Sequence, residues 1–174
     1  TGVQTCALPI FTILGAGNIG LAAGTKWKAK GHDITFGVRD PQSQKAWNAI
    51  SIGAKVTTFQ ESMTDAEVVL VAIPFGVADE VLKSIDVEWE GKIIIDAINP
   101  ISASTEPFES ALEAIGAWTG SADVVKALNT TGVGNMMNPE YDGKAIETFI
   151  CGDEIESKKV VTQLASDLGF RVVD

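Results

Sequence analysis

The run Gly15-Ala16-Gly17-Asn18-Ile19-Gly20 follows a short apolar segment, Phe11-Thr12-Ile13-Leu14, and opens into a helix-forming stretch that ends near Gly31. A G-x-G-x-x-G run in this setting constrains the chain to strand, tight turn, helix and second strand, because each glycine answers a different steric demand. Gly15 permits the sharp turn. Gly17 lacks a side chain, so a pyrophosphate can approach the backbone. Gly20 lets the helix lie close to the strand. The free N–H groups and positive dipole end of that helix then face the phosphates.

The rest of the chain repeats this alternation of apolar runs and helical patterns. Strands are predicted over 11–14, 33–38, 54–57, 67–73, 91–97, 124–128, 146–151 and 170–173, and helices over 18–30, 41–51, 75–85, 105–116 and 155–168. Val68-Val69-Leu70-Val71-Ala72-Ile73 and Lys92-Ile93-Ile94-Ile95 are continuously apolar rather than alternating, as strands covered on both faces must be. The implied fold is α/β: a Rossmann-type, doubly wound, mostly parallel sheet with helices on both faces. There is no internal repeat and no low-complexity linker. The longest irregular stretch is Asn129 to Lys144, and a long loop in a compact domain points to function.

Arg39 stands at the end of the second predicted strand, 19 positions after Gly20, where the ribose-reading residue of such a unit falls. An acidic residue there holds a ribose 2′-hydroxyl; a 2′-phosphate needs a cation, and the planar guanidinium fork matches it. The site therefore reads as preferring NADP(H). Asp40 offers two alternatives, a salt bridge to Arg39 or a ribose contact that shifts preference to NAD. Ser43 and Lys45, at the start of the next helix, add candidate contacts to the phosphate.

Ligands of an open α/β sheet lie across the carboxyl ends of its strands. That rule gathers the glycine turn (Gly15, Ala16, Gly17, Asn18, Ile19, Gly20), Val38-Arg39, Ala72-Ile73-Pro74-Phe75, Asn99 with Ile98 and Pro100, and Leu128-Asn129-Thr130-Thr131-Gly132 around one crevice. Pro74 equally suits a plain helix start, since its missing N–H is no loss there. Phe75 fits the core as well as a cofactor. Asn99, Asn129 and Thr130 suit amide or ring-carbonyl recognition, or ordinary turn chemistry. No acid–base machinery is evident. His32 begins the second strand at the end opposite the crevice, Tyr141 lies alone in a loop, and Asp96 sits within an apolar strand as a partner for a backbone or loop donor. No catalytic side chain is assigned, and any hydride transfer would be a matter of juxtaposing two redox cofactors.

Composition limits the other classes. The net charge of −10 does not suit nucleic acid or an anionic membrane surface, and it sharpens the need for a local cation such as Arg39. No apolar run is long enough to span a membrane as a helix. One His and no Cys cluster argue against zinc. The ten residues Thr1 to Ile10 resemble the translation of a sequencing-library adapter and are set apart as a non-native segment, Cys6 with them. Cys151 is then the single remaining thiol, and a reducing, cytoplasmic setting follows. Residues 11–174 are read as one NADP-binding domain, truncated at its C-terminus, because the last predicted strand ends without a cap.

From Phe11 to Asp174 the chain resembles the NADPH-dependent reductases of coenzyme F420, a deazaflavin. The resemblance rests on Ile-Leu-Gly-Ala-Gly-Asn-Ile-Gly at 13–20, Gly31-His32-Asp33 with Phe36-Gly37-Val38-Arg39, Ala72-Ile73-Pro74-Phe75, Val125-Lys126-Ala127-Leu128-Asn129-Thr130, and Cys151-Gly152-Asp153 with Glu156-Ser157-Lys158-Lys159-Val160-Val161. It implies pyrophosphate contacts from Ala16, Gly17, Asn18 and Ile19, and a 2′-phosphate contact from Arg39. Val38 replaces a serine of some members, and Ser43 stands where a further cation occurs. The resemblance also implies direct hydride transfer between NADP(H) and coenzyme F420 or a flavin-like acceptor. A homodimer is implied where the family's C-terminal segment is present. Related readings are a flavin or ferric reductase, a pyrroline-carboxylate reductase, and a non-catalytic NADP-binding module.

Overall fold

The computed structural model describes residues 9–101 and 103–174. Most of the segment set apart as adapter-derived, including Cys6, lies outside the described residues. Ile10 does not: its carbonyl accepts hydrogen bonds from the N–H groups of Glu67 and Val68 at 3.0 and 3.2 Å.

The first half of the chain builds β1 (Phe11–Leu14), α1 (Asn18–Ala29), β2 (Ile34–Val38), α2 (Gln44–Ser51), β3 (Lys55–Thr58) and α3 (Phe59–Ser62). The second half builds β4 (Val68–Val71), α4 (Phe75–Ser84), β5 (Ile93–Asp96), α5 (Ala111–Thr119), β6 (Val124–Ala127) and α6 (Val133–Met137). A small hairpin, β7 (Glu140–Tyr141) and β8 (Lys144–Ala145), precedes β9 (Glu147–Cys151), α7 (Ile155–Asp167) and β10 (Arg171–Val173). The main sheet has eight strands in the order β10-β9-β6-β5-β4-β1-β2-β3. All neighbouring pairs are parallel except β6 with β9, where Lys126 faces Cys151 and Ala127 faces Ile150. The strand order turns back between β1 and β4, and that reversal opens a crevice at their carboxyl ends.

Both faces of the sheet are covered, which is why β1 and β4 are buried along their whole length. On one face α1, α2, α6 and α7 pack over Phe11, Ile13, Ile34, Phe36, Leu70 and Val125. On the other, α4 and α5 pack over Leu14, Val69, Val71, Ile94 and Val124. Trp27 anchors the first face. It is fully buried, meets the Phe11 ring edge-on at 4.5 Å, and donates its indole N–H to the Leu164 carbonyl at 2.9 Å. His32 Nε2 lies 2.9 Å from Asp167 Oδ2, so the last helix is tied to the entry of β2. This places His32 away from the crevice, as its position before β2 predicts.

Three expectations are corrected. The helix predicted over 105–116 begins at Ala111, because Pro107 interrupts the pattern and Ser110 caps the helix by accepting from Glu113 N–H at 3.2 Å. The helix predicted from 41 begins at Gln44: Asp40 Oδ1 accepts from Gln42 N–H at 2.8 Å, and Ser43 is the cap. The stretch from Asn129 to Lys144 is not irregular throughout, since it holds α6 and β7. The short helix α3 was not foreseen. It is set off by a capping box in which Thr58 and Glu61 bond each other's backbone N–H. Hydrogen bonds from Thr57 and Thr58 hold the exposed Glu61 carboxyl below the usual carboxylate range.

Candidate functional site

A cleft of about 580 Å³ lies across the carboxyl ends of β1, β2, β4, β5 and β6. Its size suits a small-molecule or cofactor site. Of the predicted residues, Gly15, Ala16, Gly17, Asn18, Ile19, Val38, Arg39, Ser43, Ala72, Ile73, Pro74, Asn99 and Asn129 line it. Gly20, Phe75 and Thr130 do not. Gly20 is buried, Phe75 turns to the Trp118 ring with centroids 5.5 Å apart, and Thr130 is exposed beside the lining residue Thr131.

The glycine turn has the geometry a phosphate needs. Gly15 adopts φ +105°, and a Cβ there would fall 2.6 Å from the Ala72 carbonyl oxygen. A Cβ on Gly20 would fall 2.2 Å from the Gly15 carbonyl oxygen, so α1 and the turn are in backbone contact. A Cβ on Gly17 would meet nothing within 4 Å. Gly17 is therefore not demanded by packing; its bareness leaves the helix end open to the cleft. Gly17 caps α1 without a side-chain hydrogen bond, and no acidic residue occupies the first turn. The first N–H groups of α1 and its positive dipole end are thus free for an anion.

Beside this turn is a pair of cations. Arg39 and Lys45 are exposed, line the cleft, and form no ion pair among the described residues. Asp40 is not the salt-bridge partner of Arg39. One of its carboxylate oxygens accepts from Gln42 N–H, and its carbonyl accepts from the Ser43 hydroxyl at 2.8 Å. Ser43 Oγ in turn accepts from Ala46 N–H at 3.3 Å. The Asp40 turn therefore holds Ser43 and the start of α2 next to Arg39.

Among the described residues the other end of the cleft carries no charge. Ile73, Pro74, Ala97, Ile98, Asn99, Ile101, Leu128, Asn129 and Thr131 form it. The exits of β5 and β6 are clasped together: Asn99 Nδ2 donates to the Asn129 carbonyl at 2.7 Å. Leu128 is buried and sits at φ +63°, a left-handed conformation that costs a leucine about 1 kcal/mol or more. Thr131 Oγ1 is buried with no hydrogen-bond partner among the described residues. Ile98, Leu128 and Thr131 lie where the strand-end rule places them, whereas sequence reasoning missed Phe59, Ala97 and Ile101 as lining residues, because apolar residues carry no signal that separates them from core.

Just beneath this wall lies Asp96, wholly buried at the end of β5. Its Oδ1 accepts from Ile98 N–H and its Oδ2 from Lys126 Nζ, both at 2.8 Å. Burial pushes the Asp96 carboxyl above its ordinary value, against the opposing pull of the Lys126 ammonium. The expectation that Asp96 serves a backbone donor holds, and Lys126 is a second partner that was not foreseen.

A parallel sheet with a glycine turn at its switch point and a cleft across the strand ends defines a dinucleotide-binding fold. Over residues 10–100 the chain matches the family described as NADP oxidoreductase, coenzyme F420-dependent, and it belongs to that family. It is 25% identical, with a TM-score of 0.78, to a candidate F420-dependent NADP reductase from Arthrobacter sp. FB24, covering 95% of this chain and 84% of that one. A hypothetical protein of Sinorhizobium meliloti shares the fold at a TM-score of 0.84 and 23% identity, covering 98% of this chain and 86% of the other. Metalloreductase STEAP3 of Rattus norvegicus is 28% identical over 167 residues; the match covers 95% of this chain and 33% of that protein, so the chain spans about a third of its length. Among the described residues no helix is long and apolar enough to cross a membrane.

Proposed function

We propose that the chain binds NADP(H) across this cleft and passes a hydride between the nicotinamide and a deazaflavin or flavin. The observation that carries the nucleotide half is the pairing of an uncapped helix end at Gly17 with an unpaired Arg39 in one cleft. The helix end receives the pyrophosphate, and Arg39 receives the 2′-phosphate through a charge-assisted fork, with Lys45 and Ser43 alongside. Asp40 is committed to its own turn and does not neutralise Arg39. Bound NADP(H) supplies the hydride chemistry; the protein's part is to hold two rings in register and keep water away.

The acceptor half rests on what the far end lacks. Among the described residues no titratable side chain lines it, so an acceptor that must be protonated by the protein as it is reduced is not served by them. A deazaflavin or a flavin takes a hydride into its own conjugated ring and fits this neutral wall. The family assignment favours coenzyme F420, and a flavin is the second reading because the same neutral wall serves its ring.

The test is an anaerobic assay of NADPH oxidation with coenzyme F420, flavin mononucleotide and pyrroline-5-carboxylate offered separately. Turnover with either of the first two and none with the imino acid is expected. Turnover with the imino acid alone would contradict the acceptor reading, and binding without turnover on any of the three would favour a non-catalytic NADP module.

A further inference from the structure

The charged end of the cleft is built from loops, but the neutral end is held by a partly buried ion pair that no part of the cofactor reading uses. Asp96 and Lys126 are register partners on adjacent strands β5 and β6. Lys126 Nζ reaches Asp96 Oδ2 at 2.8 Å and also donates to the carbonyl of Ile98. Asp96 Oδ1 receives the N–H of the same residue. Both backbone polar groups of Ile98 are therefore committed to this pair. Ile98 is 3% exposed and lines the cleft, and the next residue, Asn99, is clasped to the carbonyl of Asn129. Lys126 itself is not among the lining residues.

Such a pair is a poor choice for stability alone. A wholly buried carboxylate held by a partly buried ammonium repays little more than well-packed apolar side chains of the same volume, and its clearest use is to select one geometry. Here the geometry selected is the turn Asp96-Ala97-Ile98-Asn99. That turn forms the wall on the β4–β6 side of the cleft, the half that takes the second nucleotide of a dinucleotide.

We propose that Lys126 is a positioning residue: by holding Asp96 and the Ile98 carbonyl it fixes the wall against which the nicotinamide of NADP(H) lies, and so sets hydride transfer rather than nucleotide affinity. This rests on the cofactor reading above. The phosphate contacts lie on β1, β2 and α1, share no partner with Lys126, and are unaffected by its removal. A ring displaced by about 1 Å loses on the order of 100-fold in rate.

The experiment compares the wild type with Lys126→Met, Lys126→Arg and Asp96→Asn, the last being a near-isosteric variant should the first fail to fold. Affinities are measured for NADPH and for 2′-phospho-ADP-ribose, which lacks the nicotinamide. The fluorescence enhancement of bound NADPH and its oxidation by coenzyme F420 or flavin mononucleotide are measured alongside. Lys126→Met is expected to bind both nucleotides within about twofold of the wild type, as independent sites do. It loses the fluorescence enhancement and turns over about 100-fold more slowly. Lys126→Arg, which keeps the charge and both donations, restores most of both signals. The proposal is overturned if Lys126→Met leaves ring fluorescence and turnover intact. It is also overturned if affinity for both nucleotides and turnover fall together and Arg does not rescue them, which is the mark of a merely structural pair. A wild type that binds NADPH but reduces neither acceptor contradicts the acceptor reading only, and fluorescence then decides the role of Lys126. A wild type that binds neither nucleotide removes the cofactor reading and this proposal together.

Discussion

The two ends of the cleft are built by opposite means. At the β1–β2 end the features are local: a glycine turn, a helix end with no cap, and two exposed cations within seven residues of one another. Little in the fold's packing would change if Gly17 or Arg39 were replaced. At the β5–β6 end the features are non-local: a partly buried ion pair 30 residues apart in sequence, an amide clasp 30 residues apart, and a leucine held in a left-handed conformation. The first end has affinity written on its surface. The second has geometry stored in its interior. Substitutions of Gly17 and Arg39 at the first end should therefore change binding with little change in stability, and those at the second should do the reverse.

The largest effect expected is on stability at the β5–β6 end. Lys126→Met strands a buried carboxylate and should lower unfolding free energy by about 3–5 kcal/mol near neutral pH, measured by denaturant titration. The sign of its pH dependence follows from Asp96, whose folded-state value burial already raises above that of the unfolded chain. Stability tied to a raised carboxyl is fully present below the ordinary Asp value and is lost as pH rises through the folded-state value. The Lys126→Met deficit should thus shrink on acidification towards pH 4, and a deficit that grows instead would show that Lys126 is not what offsets the Asp96 charge.

At the opposite end, Arg39→Ala should weaken NADPH by about 10- to 100-fold, the worth of a charge-assisted bidentate contact, with unfolding free energy unchanged. Gly17→Val sharpens the same contrast. A Cβ there meets nothing within 4 Å, so stability should fall only by the poorer N-cap, about 1 kcal/mol or less, while NADPH affinity falls. Gly20→Ala sets a Cβ against the Gly15 carbonyl and should be destabilised by about 1–3 kcal/mol. Equal melting behaviour of the two variants would mean that the turn is looser than this structure has it. The smallest effect belongs to Asp40→Asn. An asparagine can still accept from Gln42 N–H, so the turn survives, and removal of one negative charge beside Arg39 should tighten NADPH by no more than about threefold.

The same contrast explains what was legible in the sequence. The sheet, its mostly parallel sense and the helix order follow from periodicity, because continuous apolar runs such as Val68–Val71 can only be doubly covered strands. The Gly15–Gly20 turn and Arg39 are readable because their chemistry depends on neighbours in sequence. The start of α5 was readable but misjudged: Pro107 and the pair Ser110 and Glu113 mark it at 111. Lys126 was not readable, since a lysine in a strand says nothing of the Asp96 it meets on the next strand. Phe75 shows the reverse error. It follows a strand end, as a cofactor-facing aromatic would, yet it starts α4 and its ring packs on Trp118. Side-chain direction at such a corner is set by the helix that follows.

The central claim is that the charge at the β1–β2 end reads a 2′-phosphate. Isothermal calorimetry of NADPH and NADH on the wild type and Arg39→Ala tests it most directly. The account predicts that the wild type binds NADPH at least tenfold more tightly than NADH and that Arg39→Ala loses that preference while its NADH affinity is unchanged. Equal affinities in the wild type, or a preference for NADPH that survives in Arg39→Ala, would contradict it.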